Sequence, residues 1–185
     1  MTNSIDTRPD YIVGTWKLDP SHSELSFTVK HLAISKVKGT FETFDVTVIT
    51  PEDPTQISVE ATIDVASVNT KQEQRDAHLR TSDFFLVDEH PTITFTSTSF
   101  EAKGDDFTLN GDLTLRGVTQ PVTLKGEFGG VITDDYGRTK AGASATTTIN
   151  RQDFGVSWNA ALEAGGFTLG DDVTITIDLQ VDLQK

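Results

Sequence analysis

Val173-Thr-Ile-Thr-Ile-Asp-Leu-Gln-Val-Asp-Leu183 places an apolar residue at every odd position and a polar one at every even position. Successive side chains of a β-strand point to opposite faces, so this segment is a strand with one greasy side and one wet side. The same alternation returns along most of the chain. Leu25, Phe27 and Val29 alternate with Ser26, Thr28 and Lys30, and Ile57, Val59, Ala61, Ile63 and Val65 repeat the pattern. A sheet that is apolar on one side throughout must pack on another sheet or close on itself, and a closed barrel has an inside.

Further strands are predicted over Thr92–Phe100, Phe107–Arg116, Pro121–Ile132 and Ala141–Ile149. Gly39–Thr50 reads as one strand in which the apolar positions shift from odd to even, so a bulge is expected near Thr43. Turns are expected at Gly104-Asp105-Asp106, Arg116-Gly117-Val118 and Asp134–Gly137. Asn69–Phe85 is charged and lacks period two. It predicts one or two short helices across a barrel end, with Asn69 or Thr70 as N-cap and Glu73 behind it. The sum is about eight or nine strands in up-and-down order, which fits an all-β antiparallel barrel better than a βαβ fold.

Pattern alone leaves the interior open between hollow and filled. Ala61, Ala141, Ala143, Ala145, Gly111 and Gly126 put small groups at inward positions, and eleven phenylalanines against two tyrosines suit a dry lining. Small residues offsetting large ones in a packed core would read the same way.

Composition narrows the chemistry. The 185 residues suit one domain, expected over residues 13–185 behind a flexible segment 1–12. A net charge of −13 repels nucleic acid and anionic membrane surfaces, so both are poor partners for the overall field. The absence of cysteine excludes disulfides and thiol nucleophiles. No apolar run has the form of a signal peptide or a membrane span, so the chain as given is expected in the cytoplasm, or in the periplasm or outside if a leader was removed.

His22, His31, His78 and His90 show no local metal-ligand spacing, and no nucleophile elbow, phosphate loop or dinucleotide fingerprint is present. Two polar blocks stand out: Arg75-Asp76-Ala77-His78-Leu79-Arg80 and Asn150-Arg151-Gln152-Asp153-Phe154-Gly155. Asp76 and Asp153 are expected to pair with arginine and pin a helix or loop to the barrel rim. Arg75, His78 and Arg151 are open between that role and contact with the polar head of a bound lipid.

Several blocks resemble the YceI family in order along the chain. They are Trp16–Ser23, Phe27–His31, Ser67–Thr70, Arg75–Leu79, Ser82–Phe85, His90–Ser97, Leu113–Val122 and Asn150–Gly155. The resemblance implies an extended lipocalin-like barrel of about eight strands. It also implies non-catalytic binding or transport of a long isoprenoid chain, such as a polyprenyl phosphate or isoprenoid quinone, or a similar amphiphilic lipid. No catalytic residue, metal or cofactor comes with it, and a homodimer is expected. Inward register combined with the resemblance nominates Leu25, Phe27, Val29, Phe41, Phe95, Leu109, Leu113, Phe128, Ala143, Ala145 and Ile175 as apolar lining. Phe84, Phe85 and Trp158 are expected to close an end, and His31, Arg75, His78 and Arg151 to stand at a head group or rim. Two other functions are carried beside this one: an enzyme acting on a held lipid with His31 or His78 as proton shuttle, and a stress or scaffold protein with a solid barrel.

Overall fold

The computed structural model describes residues 9–160 and 168–185. Eleven strands form one antiparallel sheet: β1 (Gly14–Leu18), β2 (Glu24–His31), β3 (Ser35–Phe41), β4 (Phe44–Thr50), β5 (Ser58–Asp64), β6 (Val68–Asn69), β7 (Thr92–Lys103), β8 (Asp106–Leu115), β9 (Val118–Thr133), β10 (Thr139–Asn150) and β11 (Leu169–Leu183). The ladder runs β1-β4-β5-β7-β8-β9-β10-β11, and β11 returns to β1, which closes an eight-stranded barrel. β11 also pairs with β2, β2 with β3, and β3 with β6.

Eleven strands become eight staves because three staves are broken. β1 and β2 run along the same side of β11, Trp16 opposite Leu183 and Val29 opposite Val173. The 3-10 turn Pro20–His22 interrupts them, with Asp19 capping it by accepting from the Ser21 backbone N–H. β3 and β4 form the second broken stave, and β5 and β6 the third, split by the 3-10 turn Val65–Ser67 under an Asp64 cap. The parity shift expected as a bulge near Thr43 is therefore a corner. Residues 42 and 43 leave the ladder, β3 pairing with β2 while β4 pairs with β1. The Ser67 hydroxyl holds the corner by accepting from the Thr43 backbone N–H at 3.0 Å.

One end of the barrel, here the lower, gathers His31, Thr92, Leu115, Asn150 and Leu169; the upper end gathers Thr50, Lys103, Thr133 and Leu183. At the lower end the helix α1 (Glu73–Leu79) and the segment down to Pro91 lie beside β6. Neither expected N-cap is used: Gln72 sits at the cap position without a side-chain bond. Thr70 is instead held by Asp76, whose carboxylate accepts from the Thr70 backbone N–H at 2.8 Å and hydroxyl at 2.6 Å. Tyr11 and Ile12, on the segment expected to be flexible, are tied to the end of β4, Tyr11 Oη donating to the Pro51 carbonyl and Thr50 Oγ1 to that of Ile12. Residues 1–8 of that segment lie outside the described residues.

Candidate functional site

The interior is hollow in two places. An upper cavity of about 250 Å³ and a lower one of about 340 Å³ share Leu25, Ile63, Leu113 and Ile175 as walls. These four side chains stand between the two spaces, which follow one another along the barrel interior. The opening strand lines it in order: Val173 and Ile175 below, then Ile175, Ile177, Leu179 and Val181 above. The nine residues Val173–Val181 cover about 27 Å of wall.

Every residue nominated from the sequence lines one or the other cavity. Phe95, Leu109, Phe128, Ala143 and Ala145 wall the upper cavity; Phe27, Val29, Phe41, Phe84, Phe85 and Trp158 wall the lower one. Ala61 and Ala141 also open onto the upper space, but Gly111 and Gly126 do not provide room. A Cβ at Gly111 would overlap the Phe95 ring, and one at Gly126 the Phe107 ring. There the small residue seats a large one across the strands, as a filled interior would. Trp16, Val46, Val48, Phe100, Phe107 and Leu124 also line the upper cavity and were not nominated. Their strands are as one-sided as the others, so inward register was the signal available.

The lower mouth is aromatic and basic. His78 stands edge-on to Phe84 at 5.0 Å and to Trp158 at 4.8 Å, and Phe84 and Trp158 are 5.3 Å apart. The other edge of the His78 ring meets the Asp83 carboxylate, Nε2 to Oδ2 at 2.8 Å. His31, Arg75 and Arg151 share this cavity wall. The arginines chiefly hold backbone. Arg75 donates from Nε to Thr70 Oγ1 at 2.7 Å and from Nη2 to the Thr70 carbonyl at 2.8 Å. Arg116 Nη1 donates to the carbonyls of Ser82 and Phe84 at 2.6 and 2.7 Å, fixing the Phe84 ring's position.

Arg151 is the most enclosed of them, with a side chain 6% exposed. Nη1 donates to the carbonyls of Val156 and Trp158 at 2.7 and 2.9 Å, and Nε to that of Gly170 at 2.9 Å. Nη2 is buried without a hydrogen bond among the described residues, and Asp171 Oδ1 stands 3.7 Å away. Burial lowers the Arg151 pKa while the Asp171 charge opposes that. The expected pairing of Asp153 with arginine is not found. Asp153 is exposed, its carbonyl accepts from Gln120 Nε2, and the carboxylate near Arg151 is Asp171. Asp76 likewise pins its helix through Thr70 rather than through an arginine.

A closed eight-staved antiparallel barrel around apolar cavities is a lipocalin-like barrel. The particular kind is settled by comparison: the YceI-like domain model matches residues 16–181, and the chain belongs to that family. A UPF0312 protein of Staphylococcus aureus is 44% identical over 170 residues, covering 90% of this chain and 96% of the relative. The crystal structure of a Campylobacter jejuni YceI protein superposes with a TM-score of 0.71 at 32% identity, over 84% of this chain and 90% of that one. Two more distant structures share the fold. Burkholderia cenocepacia BcnA has a TM-score of 0.77 at 24% identity, over 88% and 98% of the two chains. A polyisoprenoid-binding domain from Saccharophagus degradans, implicated in plant cell wall breakdown, has 0.66 at 16%, over 94% and 100%.

Proposed function

We propose that the protein is a non-catalytic binder that sequesters or carries a long-chain isoprenoid lipid in its barrel interior. The observation that carries the reading is a pair of apolar cavities that follow one another along the barrel and share Leu25, Ile63, Leu113 and Ile175 as walls. A rounded apolar ligand needs one chamber, whereas two chambers in line suit a long flexible chain. Each methylene removed from water is worth roughly 0.8 kcal/mol, so a polyprenyl chain would supply its own driving force. The ligand class is supported by the shared fold of the Saccharophagus domain, whose own ligand is polyisoprenoid. The polar end is assigned to the lower cavity, where His31, Arg75, His78 and Arg151 stand among otherwise apolar walls.

Catalysis on a held lipid has one observation in its favour, the His78–Asp83 pair at the cavity mouth. The ring is wedged between Phe84 and Trp158, which suits closing the mouth better than shuttling protons. Extraction of the natively purified protein with organic solvent, followed by mass spectrometry, tests the binding reading. An isoprenoid lipid should be recovered. Loss of a lipid-converting activity in His78→Gln, with the lipid still recovered, would favour catalysis instead.

A further inference from the structure

The protein carries 28 acidic residues, yet residues 25–41 contain no carboxylate and three lysines. This stretch is the β2–β3 hairpin without its first residue, Glu24. Lys30 stands opposite Lys36, and Lys38 opposite Thr28, so all three lysines share the outward face. All three are exposed. The alternate residues Val29, His31 and Val37 line the lower cavity, so the hairpin is a wall of that cavity and its tip lies at the lower end.

The tip is apolar and strained. Ile34 is 86% exposed, and Leu32 and Ala33 are also exposed. Leu32 and Ala33 have φ of +56° and +60°, and the Ile34 N–H donates to the His31 carbonyl at 3.3 Å. Two successive positive φ values make a tight hairpin turn of the kind that Asn-Gly occupies without strain. Leucine and alanine there set their Cβ atoms against the backbone. Neither burial nor turn chemistry accounts for them. Edge protection accounts for part of the charge: among the described residues β3 meets β6 only at Thr40 and Phe41, and Lys36 and Lys38 guard the strand edge left open there. It does not account for Lys30, on a strand with neighbours on both sides, or for Ile34.

We propose that this hairpin docks the protein on an anionic lipid bilayer, with Leu32, Ala33 and Ile34 entering the headgroup boundary and the three lysines on lipid phosphates. The net charge of the whole molecule opposes the approach, but screening confines it to about 8 Å at physiological salt, so charge at the tip decides the contact. Asp171 and Asp172 lie on β11 between the partners of His31 and Val29, beside Lys30 and next to the tip; Asp171 accepts from Gln152 and faces Arg151, which leaves Asp172 against the three lysines. The opposite end also exposes apolar groups, Ile132 and Tyr136, but beside Asp134 and Asp135 and no lysine cluster. The charge therefore orients the barrel, lower mouth to the bilayer. The choice of a bilayer over an acidic protein rests in part on the proposed lipid cargo.

Flotation of the full chain with vesicles tests the docking and makes no use of what the cavity holds. The protein should float with phosphatidylcholine vesicles that contain phosphatidylglycerol, remain below with phosphatidylcholine alone, and be released by high salt. Lys30→Gln, Lys36→Gln and Lys38→Gln should each weaken binding about fivefold. Ile34→Asp should abolish it, and Ile132→Asp at the other end should leave it unchanged; thermal melts of these surface variants confirm folding. No flotation by the native chain would overturn the proposal, as would flotation undiminished in the triple lysine variant and in Ile34→Asp. Retention on immobilised polyglutamate without flotation would assign the hairpin to an acidic protein and overturn it equally. Mass spectrometry of co-purified lipid reads the cavity separately, so failure of either reading is told apart from failure of the other.

Discussion

Arg151 shows how one side chain can organise a cavity mouth while carrying charge. Its guanidinium satisfies the carbonyls of Val156, Trp158 and Gly170, and so ties the segment bearing Trp158 to the start of β11. Replacing it with methionine keeps the bulk and leaves those acceptors without a donor. We expect Arg151→Met to cost about 3 kcal/mol in urea unfolding. Asp19 is a second residue whose role is set by its neighbours. The Ser21 hydroxyl, His22 and Lys140 donate to its carboxylate and hold its pKa well below the ordinary carboxylate value, against the opposing effect of burial. A carboxylate depressed in the folded state stabilises the fold above its unfolded pKa and loses that contribution as the pH falls toward its folded one. Melting temperatures should therefore drop below about pH 4, and the drop should be shallower in Asp19→Asn. Neither arrangement was legible in the sequence. Arg151 is followed two residues later by Asp153, but its charged neighbour is Asp171, which chain folding brings in from a distant strand.

Strands were the most legible part of the chain, for a physical reason. β11 from Val173 on and β9 as far as Phe128 separate water from the interior, so each writes alternation into the sequence there. Breaks in the staves were less legible. A parity shift at Thr43 arises equally from an inserted residue and from a corner, and only pairing partners tell them apart. Capping failed for a related reason. Thr70 has the chemistry of an N-cap, but its hydroxyl and N–H are taken by Asp76. The glycines divide likewise: Gly39 and Gly126 sit directly opposite Phe27 and Phe107, whose rings cover them. Gly126→Ala should set its Cβ against both the Ser144 carbonyl oxygen and the Phe107 ring and cost about 1–3 kcal/mol in chemical denaturation. An unchanged stability would show that backbone and ring both give way without cost.

At the scale of the molecule, a closed barrel supplies what a one-sided sheet requires, an interior, and here that interior is only partly filled by side chains. Small residues and aromatic rings do not by themselves decide between a core and a cavity. The alanines on β10 open space, while Gly111 and Gly126 are filled by neighbouring rings. The wall shared by the two cavities is where the carrier reading is most exposed to test. Leu113→Trp places a larger ring between the two cavities, and we expect the barrel to fold yet retain less than half the lipid of the native protein. Mass spectrometry of the organic extract of natively purified protein addresses the main claim most directly. An isoprenoid lipid near one molecule per barrel is the expected result. A lipid-free extract, from a protein that also takes up no polyprenyl ligand when offered one, would contradict it.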